Sequence, residues 1–264
     1  MRRPGLGPRP AIGSIRSWWG FLAGFALLCA VLLGTSALDS TGRWGLVILA
    51  AVLVTALTLE RVQHRTSLQD SVRRLGFARP GGRALALAAA VSALVLLVFP
   101  LTAALSGAAP VPRTNWPWLL IGIFAFHGVA EELVWRGYAY RRLRAGRSFR
   151  AAVAWTMPLI AAAHIPIVVS LGPAVGVGAM LVAAVTAIPL SYLYETGHRS
   201  IWPPALVHTA IDTFKLVVIP AAALSSFSLL IILISLTVPL LALAVPRRVL
   251  TPTLARPRTV EELS

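Results

Sequence analysis

Residues 116–142, WPWLLIGIFAFHGVAEELVWRGYAYRR, decide how the chain is read. The stretch Trp116–Trp135 is mostly apolar and has the length, about 20 residues, that crosses the hydrocarbon core of a bilayer. Near its end stand Glu131 and Glu132, side by side, with Arg136 one helical turn on and Arg141 and Arg142 closing the segment. A carboxylate in a bilayer is costly, so intramembrane acids mark a functional site by default. Two adjacent ones are hard to explain as packing.

The rest of the chain has the same character. Of 264 residues, 57% are hydrophobic and 12% are charged, about half of the roughly 25% usual in a soluble domain. Apolar segments occur at Trp18–Leu38, Trp44–Leu59, Ala84–Leu105, Trp116–Trp135, Ala151–Leu171, Ala174–Tyr194, Trp202–Ile219 and Ala222–Val245. They predict an all-α polytopic membrane protein with about eight transmembrane helices. The chain divides into a basic, disordered N-terminal segment (1–17), one transmembrane domain (18–246) and a mobile basic tail (247–264). In the longest connection, Glu60–Arg83, the pattern over Ser67–Phe77 predicts an interfacial helix.

The net charge of +15 follows the spans. Arg2, Arg3, Arg9 and Arg16 precede the first segment, and Arg43 stands alone in the next connection. Arg61, Arg65, Arg73, Arg74, Arg79 and Arg83 crowd the one after it; Arg113 is again alone; Arg136–Arg150 is rich. The alternation is the positive-inside pattern. It predicts both termini in the cytoplasm and a multi-pass protein of the cell membrane. A nucleic-acid-binding surface would not alternate with the spans, so no nucleic-acid partner is expected. The N-terminus has the parts of a signal peptide, but its apolar stretch is long and Trp18-Trp19 reads as an interfacial anchor. The lone Cys29 excludes an intrachain disulfide.

Within the later spans the polar residues are His127, Glu131, Glu132, Arg136, His164, Glu195, His208, Asp212 and Lys215. Glu132 and Arg136 are four apart with the acid N-terminal, the favourable order for a helical ion pair. Glu131 lies about 100° around the helix and can face elsewhere. With no dedicated partner, it has the makings of a general base or acid. His208 and Asp212 share one helical face. Counted from the flanking arginines at 1.5 Å per residue, Glu131 lies about 15 Å deep, His164 about 21 Å, His208 about 13 Å and Asp212 about 20 Å. One intramembrane polar cavity would satisfy them all. His127 is read as structural; Lys215 and Glu195 are read as interfacial.

Such a cavity suits hydrolysis. Glu131 would activate a water with help from His164, while His208 and Asp212 stabilise or orient a developing oxyanion. The alternative is a zinc site drawing on Glu131, His164 and His208, with water in an open position. No His-Glu-x-x-His run is present, and the residues leave both routes open.

Three motifs resemble the CPBP family, which includes the type II CAAX prenyl proteases and proteins of bacteriocin processing or self-immunity. They are Glu131-Glu132-x-x-x-Arg136-Gly137 with Tyr138 and Arg142-Leu143, the lone His164 of the next span, and His208-x-x-x-Asp212. The stretch Tyr194–Gly197 with Ser200–Pro204 also resembles the family's approach to that histidine. The resemblance covers about 116–214. It implies an eight-helix intramembrane bundle and an endopeptidase acting on a membrane-associated peptide or protein, with or without a lipid attached. In that reading Glu131 is the catalytic acid or base, and Glu132 and Arg136 support it. His164 shares the water, and His208 with Asp212 completes the site, with zinc as a candidate cofactor. Two positions depart from the family pattern: Ile160 stands for Phe, and Asp212 for the commoner Asn. Two further readings accompany the endopeptidase: a non-catalytic self-immunity or scaffold protein of the same fold, and a small proton-coupled transporter.

Overall fold

The structure, a computed structural model, describes residues 15–37, 39 and 42–251. The basic N-terminal stretch up to residue 14 and the tail beyond residue 251 lie outside the described residues. The all-α polytopic architecture is as the hydropathy predicts. Among the described residues, seven helices are long and apolar enough to cross a membrane. With the shorter helices they run α1 (Ile15–Ser36), α2 (Gly45–His64), α3 (Leu68–Arg74), α4 (Gly82–Ser106), α5 (Trp116–Arg144), α6 (Phe149–Leu171), α7 (Pro173–Thr196), α8 (Trp202–Asp212) and α9 (Ala221–Ala244). A helix forms in this connection as expected, as α3. Ser67 caps it by accepting the Asp70 N–H at 3.1 Å, and Leu75 just beyond its end is buried.

The segment expected at Trp202–Ile219 departs from a regular span. Its α-helix has 11 residues, and the chain continues as a 3-10 turn over Thr213–Leu216 and a short strand at Val217–Val218. Pro203 and Pro204 fit the first turn, where their missing N–H groups have no intrahelical partner. This segment still reaches from one end of α4 to the other. At its start the Ile201 N–H bonds Gly76 O at 2.9 Å, and Ser200 Oγ donates to Ala78 O at 2.8 Å. At its far end Val217–Val218 pairs antiparallel with Val111–Pro112, and the Arg113 N–H bonds Leu216 O at 2.9 Å. Fifteen or so helical residues plus two extended ones cover about 30 Å. The segment is therefore long enough to span in mixed conformation, although its α-helix alone is too short.

Helix α5 is the hub. Of its apolar window 72% lies inside the protein, against 22% to 33% for the other long helices. Its charged groups are thus screened from lipid by neighbouring helices. Trp135 and Tyr138 on α5 pack against Phe25 and Phe21 of α1, with ring centroids 6.0 Å apart in both pairs. Close approach is built from glycine: a Cβ at Gly122 would lie 1.7 Å from Gly42 O, and one at Gly137 would lie 2.4 Å from Leu75 O.

Two ionic knots tie the arginine-rich end. Glu60, fully buried at the end of α2, pairs with Arg141 and with Arg142 (2.7 Å), and Arg74 lies at 3.9 Å. Glu195, expected at the interface, accepts from Tyr140 (2.6 Å) and Arg144 (2.5 Å), and pairs with Arg247 (2.9 Å). A buried charge without partners is expensive, so these carboxylates fix the register of α2, α5 and α7.

Candidate active site

Around the acids, α5 leaves α-helical geometry. Phe124–Ala130 and Leu133–Tyr140 are π-helical: the Glu131 N–H bonds Phe126 O and the Arg141 N–H bonds Arg136 O, five residues back. Such stretches are rare and concentrate at functional sites. Side chains four apart still meet here, and the whole arrangement follows from that spacing.

Glu132 is fully buried. Its Oε1 accepts Arg136 Nη1–H at 2.7 Å and His208 Nδ1–H at 2.8 Å. The expected Glu132–Arg136 pair forms, and His208 joins it from α8. Oε2 of Glu132 has no hydrogen-bond partner.

Glu131 does not stand alone, contrary to the sequence reading. Its Oε1 accepts from His127 Nδ1 at 2.6 Å, and its Oε2 from Trp135 Nε1 at 3.2 Å. A carboxylate only accepts, so both nitrogens donate. His208 Nε2 lies 3.7 Å from Glu131 Oε2 and 3.5 Å from Asp212 Oδ2. Asp212 also faces His127 (Oδ2 to Nδ1, 3.9 Å) and Lys215 (Oδ1 to Nζ, 3.1 Å). Lys215 Nζ in turn lies 2.5 Å from His127 Nε2. Glu131, Glu132, Arg136, His208 and Asp212 thus meet as expected. His127, Trp135 and Lys215 join them, although the sequence reading made His127 structural and Lys215 interfacial. The signal for each was in the spacing: His127 and Trp135 flank Glu131 at four residues, and Lys215 follows Asp212 by three.

His164 is not joined to this cluster by a hydrogen bond. It sits where α6 breaks into two helices, Phe149–Ala163 and Ile165–Leu171. Pro166 follows in the first turn of the second helix; it has no N–H to bond the preceding turn and its ring crowds that turn, which interrupts the helix at His164. The His164 ring donates from Nδ1 to Ile160 O at 2.8 Å. This fixes the tautomer and leaves Nε2 with a free lone pair.

The sequence also offered Glu131, His164 and His208 as a zinc set. Among the described residues, no group of three or more His, Cys, Asp or Glu side chains is arranged to hold a metal ion. Both Glu131 oxygens accept N–H groups, and the Lys215 ammonium would repel a cation. An apolar cleft of about 320 Å³ lies between Trp18, Phe21 and Leu22 of α1 and Trp155, Pro158 and Leu159 of α6, with Leu143. No residue of the acidic cluster lines it.

Residues 113–214 match the family model described as Type II CAAX prenyl endopeptidase Rce1-like. The match supports membership of the CPBP family, a protease family. It takes in every site residue read from the sequence and ends one residue before Lys215. No curated protein and no solved structure matches the chain.

Proposed function

We propose that this chain, which carries the CPBP family's segment at residues 113–214, is an intramembrane endopeptidase that hydrolyses a peptide bond of a membrane-associated substrate. The observation that carries the reading is the 3.7 Å gap between Glu131 Oε2 and His208 Nε2. It is too long for a direct hydrogen bond, and a water lodged beside the pair can reach both atoms. Held by His127 and Trp135, Glu131 takes the proton of that water as it attacks the substrate carbonyl. It then returns the proton to the leaving amine, so the peptide bond breaks and the new carboxyl takes the water oxygen.

His208 is oriented by Glu132, which also pairs with Arg136. Its Nε2 faces the water and the carbonyl oxygen, where a proton on Nε2 stabilises the developing oxyanion. Asp212, with Oδ2 3.5 Å from Nε2, flanks that side of the ring as a negative charge, which suits a carboxylate in place of an amide. His164, with its Nε2 lone pair free, supports the water from α6. No step is assigned to a metal, because the donor set does not converge on one. The protein is proposed to be a multi-pass protein of the cell membrane with both termini cytoplasmic, the arginine-rich ends of the spans facing in. Its substrates are peptides or proteins at that membrane, lipidated ones included.

The test is reconstitution in liposomes with membrane-anchored peptides, with and without C-terminal lipidation. Cleavage by the parent, lost in Glu131→Ala and His208→Ala and retained in EDTA, is expected. Unchanged cleavage in both variants would sink the assignment, and loss in EDTA would return a metal to the site. A protein whose cellular phenotype survives Glu131→Ala would instead be a non-catalytic relative.

A further inference from the structure

Lys215 lies outside the matched segment, yet its ammonium sits inside the acidic cluster. Three carboxylates meet there, Glu131, Glu132 and Asp212, and the one guanidinium among them, Arg136, belongs to Glu132. Lys215 Nζ approaches Asp212 Oδ1 at 3.1 Å, leaving Oδ2 to the imidazoles of His208 and His127. Its second contact is more telling. An ammonium has only donors, so the 2.5 Å approach to His127 makes Nε2 the acceptor. The ring proton then lies on Nδ1, and it donates to Glu131 Oε1.

The backbone holds the lysine in place. It stands in the 3-10 turn Thr213–Leu216, whose carbonyls at Lys215 and Leu216 bond Arg113 Nε (3.0 Å) and the Arg113 N–H (2.9 Å). The neighbouring Val111–Pro112 and Val217–Val218 ladder anchors the turn. A long, flexible side chain would otherwise lose rotamer freedom to no effect.

We propose that Lys215 is a positioning residue for Glu131, acting through His127, and the countercharge that lets residue 212 be a carboxylate. The positioning role rests on the reading of Glu131 as the working acid. The hydrogen-bond chain Lys215–His127–Glu131 holds one carboxylate oxygen as an acceptor and leaves the other turned toward His208. Asp212 and Lys215 act as a unit, so that removing the lysine alone strands a buried carboxylate beside Glu131.

The deciding experiment reads the tautomer. The full-length protein, labelled with 15N-histidine and reconstituted in liposomes, is examined by solid-state NMR, with His127→Gln assigning the His127 signals. Protonated Nδ1 and bare Nε2 are expected in the parent and in Lys215→Arg, and that pattern is lost in Lys215→Met. A parent ring protonated at Nε2, alone or with Nδ1, or a pattern unchanged in Lys215→Met, would overturn the proposal. In the peptide assay, Lys215→Met should lose at least about tenfold in kcat with KM little moved. Asp212→Asn added to it should recover part of that loss. A double variant no better than Lys215→Met would overturn the paired role. If the parent cleaves no peptide, the hydrolase reading fails while the NMR result still decides this one.

Discussion

Replacing Glu132 by Ala should remove more stability than any surface change of similar size. The carboxylate is fully buried and one oxygen serves two donors, Arg136 Nη1 at 2.7 Å and His208 Nδ1 at 2.8 Å. Arg136 is 1% exposed, and its Nε already lacks a partner. Cutting one member from a buried ion pair typically costs about 3–5 kcal/mol, because the other charge is stranded. The loss of two charge-assisted hydrogen bonds, at about 1.5–3 kcal/mol each, gives the same range. Removing both charges should be milder. In Glu132→Leu with Arg136→Met only the His208 N–H is orphaned, at about 1–3 kcal/mol. Reversible unfolding of the purified protein in mixed micelles measures both. A Glu132→Ala loss below about 1 kcal/mol, or a double variant less stable than the single one, would refute the assignment of Glu132 as the shared anchor.

Glu60→Ala should likewise cost about 3–5 kcal/mol, with little dependence on salt, since buried pairs are weakly screened; a loss that vanishes at high ionic strength would contradict the buried knot with Arg141 and Arg142. Gly137→Ala should destabilise by about 1–3 kcal/mol as α5 is pushed from Leu75, and a neutral result in the same unfolding assay would mean the segment yields. Trp135→Phe keeps the ring but removes the N–H that Glu131 Oε2 accepts at 3.2 Å. Turnover should fall about tenfold or more with folding intact, in line with the loss of a hydrogen bond to a charged group, and unchanged turnover would remove Trp135 from the site.

The cost of charge in a bilayer makes Glu131 and Glu132 conspicuous from sequence alone, and four-residue spacing pairs Glu132 with Arg136 and His208 with Asp212. Spacing also held the signal for His127, but a histidine on a buried helix is usually structural, and only the contact at 2.6 Å promotes it. Lys215 was harder to read. A lysine near a helix end normally snorkels, and what draws it inward is the partner on another helix. The Glu60 knot joins residues more than eighty positions apart, beyond the reach of any periodic pattern. His164 was expected in the same layer as the acids. A count of residues along a regular helix does not foresee the break before Pro166, which aims the ring at its own helix. The π-helical course of α5 also left no mark in the apolar pattern. It does not disturb the meeting of side chains four apart, so the site could be anticipated although the helix around it could not.

The central claim is that Glu131 delivers a water to a peptide bond. Cleavage of a membrane-anchored peptide in 18O-labelled water, followed by mass spectrometry of the new carboxyl terminus, tests it most directly. The account predicts one 18O atom in that carboxyl group and a loss of about 10²–10⁴-fold in Glu131→Gln, the range for removal of a general base. Cleavage by Glu131→Gln at the parent rate would contradict it.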